Sequence, residues 1–252
     1  MGCSGKRFLG SEERVNMFSQ LIKELQKVAD PEKARNLAWF FKTGKGEYGE
    51  GDQFLGITVP KLREISKKYQ NLDLKNLQEL LNSKIHEHRL SALIILRFKY
   101  SSYAKASEDK QKSIVEFYLK NTKKINNWDL VDLSCHYILG NYLLDRDRNI
   151  LYKLARSTNL WERRIAIIST FEFIRNNQCI DTLKISKILL NDKHDLIHKA
   201  VGWALREVGK KDKQIETNFL NIHYKAMPRT MLRYAIEKFS NTERKYYLAK
   251  NN

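Results

Sequence analysis

The chain has 252 residues, 42% hydrophobic and 11% aromatic, a composition that supports a packed core and excludes a disordered tail. Lysine and arginine total 46 against 29 acidic residues, for a net charge of +17 and a pI near 9.7. Such an excess attracts polyanions, whether DNA, RNA or an anionic membrane.

From the start of the chain, residues 1–10 carry no apolar run of the kind an export signal needs, and residues 1–11 are expected to be a flexible N-terminus. Gly2-Cys3-Ser4 opens like an acylation motif, but Lys6 stands where serine or threonine is required. No apolar run approaches the roughly 18 residues of a spanning helix, the best, residues 93–96, being far too short. Cys3, Cys135 and Cys179 are scattered and odd in number, which fits a reducing cytoplasm and argues against a disulfide framework or a zinc site.

Gly44-Lys45-Gly46-Glu47-Tyr48-Gly49 matches a dinucleotide-binding pattern only formally, because no apolar strand precedes it and no helix follows. It reads instead as a mobile loop carrying Lys42 and Lys45, with Lys45 expected against phosphate. From Pro60 to Pro228 nothing interrupts helix, and Leu77, Leu80, Leu81 and Ile85, like Ile165, Ile168, Phe171 and Ile174, follow helical spacing. His86 and His88 are too close for a helical metal motif. His194 and His198 have i, i+4 spacing but no third ligand, so all four are expected at the surface or as caps. No serine-hydrolase elbow or nucleotide-binding P-loop is present.

A repeat underlies the helical stretch. Arg89-Leu-Ser-Ala-Leu, Arg164-Ile-Ala-Ile-Ile, Lys199-Ala-Val-Gly-Trp and Arg233-Tyr-Ala-Ile-Glu recur at gaps of 75, 35 and 34 residues, and a unit at Trp128 divides the first gap into 39 and 36. Periods near 35 to 40 with two helices each are those of HEAT-like solenoids. The expected fold is all-α, a right-handed superhelical solenoid of about six helix pairs forming one domain over residues 12–250. Arg89, Trp128, Arg164, Lys199 and Arg233 should then line up on one concave face, a mostly basic row suited to a phosphate backbone.

Trp128 and Asp132 are four residues apart and share a helix face, so an indole and a carboxylate can meet in a setting that welcomes a cation. Trp203 lies four after Lys199, with Arg164 between the two tryptophans in sequence. The stretches Phe54-Leu-Gly-Ile-Thr-Val-Pro-Lys-Leu-Arg63-Glu, Asn127-Trp-Asp-Leu-Val-Asp132, Leu160-Trp-Glu-Arg-Arg164-Ile-Ala, His198-Lys-Ala-Val-Gly-Trp203-Ala-Leu-Arg206-Glu and Arg229-Thr-Met-Leu-Arg233-Tyr-Ala-Ile-Glu-Lys run in order along nearly the whole chain. In these the chain resembles the DNA alkylation repair glycosylases of the AlkD type.

The resemblance implies HEAT-like repeats and removal of cationic N3- and N7-alkylated purines from duplex DNA without enclosing a flipped base, with no cofactor or metal. It implies catalytic roles for Trp128, Asp132, Arg164 and Trp203. Asp132 would face the oxocarbenium-like sugar and orient a water, the indoles would pack on the lesion's sugar and backbone, and Arg164 would hold a phosphate. Expected DNA contacts are Arg89, Lys199, Arg206, Arg229 and Arg233, with Arg63 and Lys45 nearer the N-terminus. One departure is Phe40, where a family member can carry tyrosine, so no hydroxyl contact is expected at that position. The expected partner is duplex DNA containing alkylated bases, bound by a monomer. A catalytically silent DNA- or RNA-binding protein would use the same basic row, and only the four-residue set separates the two readings.

Overall fold

The computed structural model describes residues 11–103 and 107–249. Residues 1–10 of the expected flexible segment, Cys3 among them, lie outside the described residues, and Ser11 already opens the first helix. Among the described residues every regular element is helical. The only extended pairing among these residues is an isolated bridge between Gln53 and Ile85. The chain forms two compact units, residues 1–117 and 118–252.

The first unit contains α1 (Ser11–Lys27), α2 (Pro31–Phe40), α3 (Val59–Lys68), α4 (Leu74–Leu81) and α5 (His86–Tyr103), and α6 (Glu108–Lys120) carries the chain across the boundary. Short acidic side chains start two of these helices. Asp30 accepts from the backbone N–H of Glu32 and Lys33, with Pro31 in the first turn, and Asp73 accepts from Asn76. Helices α3 and α4 pack on α5, which buries Leu90, Leu93, Ile94, Ile95 and Leu96.

The loop between α2 and α3 is fixed by the start of α5. The Glu87 carboxylate accepts from the N–H of Leu55 (2.9 Å), Gly56 (2.8 Å) and Ile57 (3.2 Å). Gly56 has φ +83°, and a Cβ there would lie 2.2 Å from the Asp30 carbonyl oxygen, so only glycine fits. His86 stacks on Phe54 (4.6 Å) beside Phe41, and Arg89 pairs with Asp52 at 2.7 Å. His86 is therefore buried under the loop, and His88 is buried with its ring on Ser83 Oγ at 3.0 Å, against the expectation of surface or capping positions. The glycine-rich segment is a run of tight turns, with Glu47 and Glu50 side chains accepting from the N–H of Gly44 and Gly46, both at 2.9 Å.

In the second unit the chain forms α7 (Trp128–Asp132), a π-helical turn (His136–Gly140), α8 (Asn149–Leu154), α9 (Leu160–Ser169), α10 (Phe171–Arg175), α11 (Ile180–Ile188), α12 (Asp195–Lys211), α13 (Lys213–His223), α14 (Arg229–Ala235) and α15 (Asn241–Ala249). Helix α7 packs on α9, α9 on α12 and α12 on α14, while α8, α11 and α13 flank this series. Helix α9 buries Trp161 and every residue from Arg164 to Ser169, as a helix covered on several sides must. Contact between α12 and α14 depends on Gly202, where a Cβ would lie 2.4 Å from the Met231 carbonyl oxygen. His194 caps α12, its ring accepting from the Leu196 N–H at 3.1 Å, a role the sequence allowed.

The repeat register survives in the elements. Arg164, Lys199 and Arg233 are each the fifth residue of their helices, α9, α12 and α14, which pack in that order.

Candidate functional site

The site is built on α7, a helix of five residues. Asn127 is buried and its side-chain oxygen accepts from the Trp128 N–H at 2.8 Å, which fixes where the helix begins. Leu130 and Val131 turn into the core, leaving Trp128 and Asp132 at the two ends of one turn, both partly accessible.

Asp132 meets Arg164 of α9 in a two-pronged ion pair. Arg164 Nε donates to Asp132 Oδ1 at 2.9 Å, and Nη2 donates to Oδ2 at 2.7 Å. Nη1 donates to the Leu196 carbonyl at 2.6 Å, so one guanidinium ties together α7, α9 and α12. The Arg164 side chain is 6% exposed and that of Asp132 14%. The carboxylate is thus the accessible member and the guanidinium the enclosed one. Arg164 was expected on a phosphate; its geometry is that of a support for Asp132.

Burial raises the Asp132 carboxyl above its ordinary range, and the charge and hydrogen bonds of Arg164 offset only part of that rise. Desolvation also raises the neighbouring Cys135 thiol and the Tyr118 phenol, so neither ionises near neutral pH. Asp132 and Arg164 form the ion pair of this neighbourhood.

Trp203 is half-buried on α12, seven residues after Leu196 and so on the same side, roughly 10 Å along the axis. Its Nε1 donates to Glu207 at 3.1 Å and its ring meets Phe171 edge-on at 4.5 Å. A cavity of about 430 Å³ opens beside it, lined by Phe171, Trp203 and Glu207 with Arg175, Lys210 and Lys211. Direct contact within the predicted set is shown for Asp132 with Arg164; Trp128 and Trp203 stand on elements that this pair joins.

The expected DNA contacts fall into two groups. Lys199 is partly exposed and pairs with Asp195 at 2.7 Å, and Arg229 and Arg233 are exposed on α14. In the first unit, Lys45 and Arg63 are exposed on the glycine-rich turns and on α3. By contrast, Arg206 is tied to Glu237 and Glu207, and Arg89 is 4% exposed with its guanidinium on Asp52 and the Ser83 carbonyl. Arg89 was expected to face phosphate, but its surroundings enclose it.

Sequence reasoning missed the Leu196 carbonyl, the Phe171 ring and the Glu207 carboxylate. Only the last had a visible signal, its i, i+4 spacing from Trp203. Among the described residues no cluster of three or more His, Cys, Asp or Glu could hold a metal ion, and no helix is long and apolar enough to cross a membrane.

Residues 21–239 match the family model described as DNA alkylation repair enzyme. Among solved structures, the chain is similar to a predicted DNA alkylation repair enzyme from Enterococcus faecalis, with a TM-score of 0.64 and 16% identity over 84% of this chain and 97% of that one, a likeness of fold. No curated protein matches the chain.

Proposed function

The chain belongs to the DNA alkylation repair enzyme family, and from that premise we propose that it is a DNA glycosylase that hydrolyses the N-glycosidic bond of cationic N3- or N7-alkylated purines in duplex DNA. The observation that carries this reading is the Asp132–Arg164 pair, which holds a carboxylate at a fixed, partly open position.

Alkylation at N7 or N3 places a positive charge on the base, so departure needs little proton donation to the leaving group. What lowers the barrier is negative charge beside the sugar as it becomes oxocarbenium-like. A carboxylate has about four lone-pair positions, and Arg164 uses two, leaving Asp132 able to face the sugar and orient the attacking water. Arg164 is a positioning residue in this scheme: its fork sets the carboxylate's plane. Trp128 and Trp203 supply flat faces for the lesion's sugar and backbone, and their ring quadrupoles favour a cation. Lys199, Arg229 and Arg233 contact phosphate in the second unit, with Lys45 and Arg63 doing so in the first. The base is not enclosed, so the protein acts on the duplex from outside.

One observation favours a silent DNA-binding protein instead: a fully engaged Arg164 also makes sense as a clasp joining three helices. Incubating the chain with a duplex containing 7-methylguanine separates the two. Release of free 7-methylguanine faster than in buffer supports the glycosylase; binding without release supports the silent reading.

A further inference from the structure

The most exposed large hydrophobic residue among those described is outside the set discussed above. Trp39 is 84% exposed and the adjacent Phe40 is 55% exposed, at the C-terminal end of α2. Helix α2 buries none of its residues, so this end is an aromatic surface without a core to fill.

The backbone that carries it is anchored through its neighbours. Phe40 meets Phe41 edge-on at 5.2 Å, Phe41 stacks on Phe54 at 5.2 Å, and Phe54 stacks on buried His86. The helix ends in a tight cap in which Thr43 N–H donates to the Ala38 carbonyl and Lys42 N–H to that of Trp39, both at 3.2 Å. Lys42 occupies the left-handed slot of this cap at φ +54°, where glycine would sit at no steric cost. The equivalent slot after α10 holds Asn177, a residue that tolerates this conformation.

Cations share this segment. Arg35 lies one turn earlier on the same helix face, and Arg35, Lys42 and Lys45 are all exposed. The nearby acids Glu47 and Glu50 spend their carboxylates on the N–H groups of Gly44 and Gly46. A solvent-facing indole on a segment that also carries exposed arginine and lysine is complementary to a base plane carried on a phosphate backbone. A protein core explains the ring but not the cations; an anionic lipid surface would take both, and the family's work on DNA decides for the base plane.

We propose that the end of α2 is a stacking site for a nucleobase displaced from its pair, with Trp39 as the platform and Arg35, Lys42 and Lys45 on the flanking phosphates. This rests on the DNA reading above and adds a preference for DNA with an unpaired base, independent of excision.

The test compares binding of the full chain, by fluorescence anisotropy, to a paired duplex and to the same duplex with one bulged adenine, both undamaged. Wild type is expected to favour the bulged duplex. Trp39→Ala should lose about tenfold on it, less than twofold on the paired one, and leave the salt dependence unchanged. Trp39→Phe should restore most of the loss, and Lys42→Ala should weaken both duplexes and lower the salt slope by about one. Because Trp39 is exposed, unfolding midpoints should match wild type. Equal affinity of Trp39→Ala and wild type for the bulged duplex would overturn the stacking site while leaving the DNA reading intact. Binding of neither duplex by wild type would overturn both. A dimer of the free chain that Trp39→Ala dissolves would make this surface an interface between copies and also overturn it.

Discussion

Removing Arg164 should be among the most costly single changes in the second unit. Arg164→Ala deletes two charge-assisted bonds, at 2.9 and 2.7 Å, and the 2.6 Å bond to the Leu196 carbonyl. It leaves Asp132, only 14% exposed, as an uncompensated carboxylate. Breaking a buried pair from one side costs about 3–5 kcal/mol, a large part of the roughly 5–15 kcal/mol that stabilises a typical domain. The loss should shrink as pH falls, because burial already raises the Asp132 pKa and losing Arg164 raises it further, so acid neutralises the stranded charge. Asp132→Asn combined with Arg164→Ala removes both charges and should cost less than Arg164→Ala alone. Urea unfolding at pH 5 and pH 8, followed by circular dichroism, measures all of these. A loss below about 1 kcal/mol for Arg164→Ala at pH 8, or strict additivity in the double variant, would refute the pairing argument.

Two further outcomes follow from packing and burial. Glu216 is 2% exposed, faces Lys213 and Arg206, and is pushed up by burial to about 8, against an ordinary value of 4.5. The folded state therefore holds a proton that the unfolded state releases, so this contribution is greatest below about pH 4.5 and is lost as pH rises to about 8. Glu216→Gln should flatten the stability profile across that window by roughly 2–4 kcal/mol relative to wild type, read from unfolding at several pH values. Gly202→Ala gains about 1 kcal/mol of helix propensity but drives a methyl group to 2.4 Å from the Met231 carbonyl oxygen and 2.5 Å from Tyr234 Cβ. Net destabilisation of about 1–3 kcal/mol is expected from the separation of α12 and α14, and a gain in melting temperature would contradict it.

Much of the helical layout was legible because its determinants are local. Apolar spacing marked α4 and α9, and the repeat of a basic residue before apolar ones returned as the fifth position of α9, α12 and α14. Local signals do not say how each position is covered. Arg89 and Arg164 read like Arg233, yet Asp52 and Asp132 draw them inside while Arg233 stays exposed. Both partners are more than 30 residues distant in sequence, and nothing in the spacing announces them. The same limit hid His86: its burial depends on Glu87 gathering the backbone of residues 55–57 around it. That Trp128 and Asp132 open and close one short helix was legible because their spacing is a single helical turn. The exposed Trp39 could not be found, since a tryptophan in a sequence reads first as core.

The central claim is that Asp132 carries catalysis, and the most direct measurement compares free 7-methylguanine released from damaged duplex by wild type, by Asp132→Asn and by buffer, with folding of each protein verified. Asp132→Asn keeps an oxygen for Arg164 while removing the charge that faces the forming oxocarbenium. Loss of one preorganised electrostatic partner typically costs on the order of 10²-fold in rate. Wild type should exceed spontaneous depurination, and Asp132→Asn should fall toward it while still binding undamaged duplex at least as well. Equally fast release by both proteins would contradict the assignment of Asp132, and release by wild type no faster than buffer would contradict the enzyme.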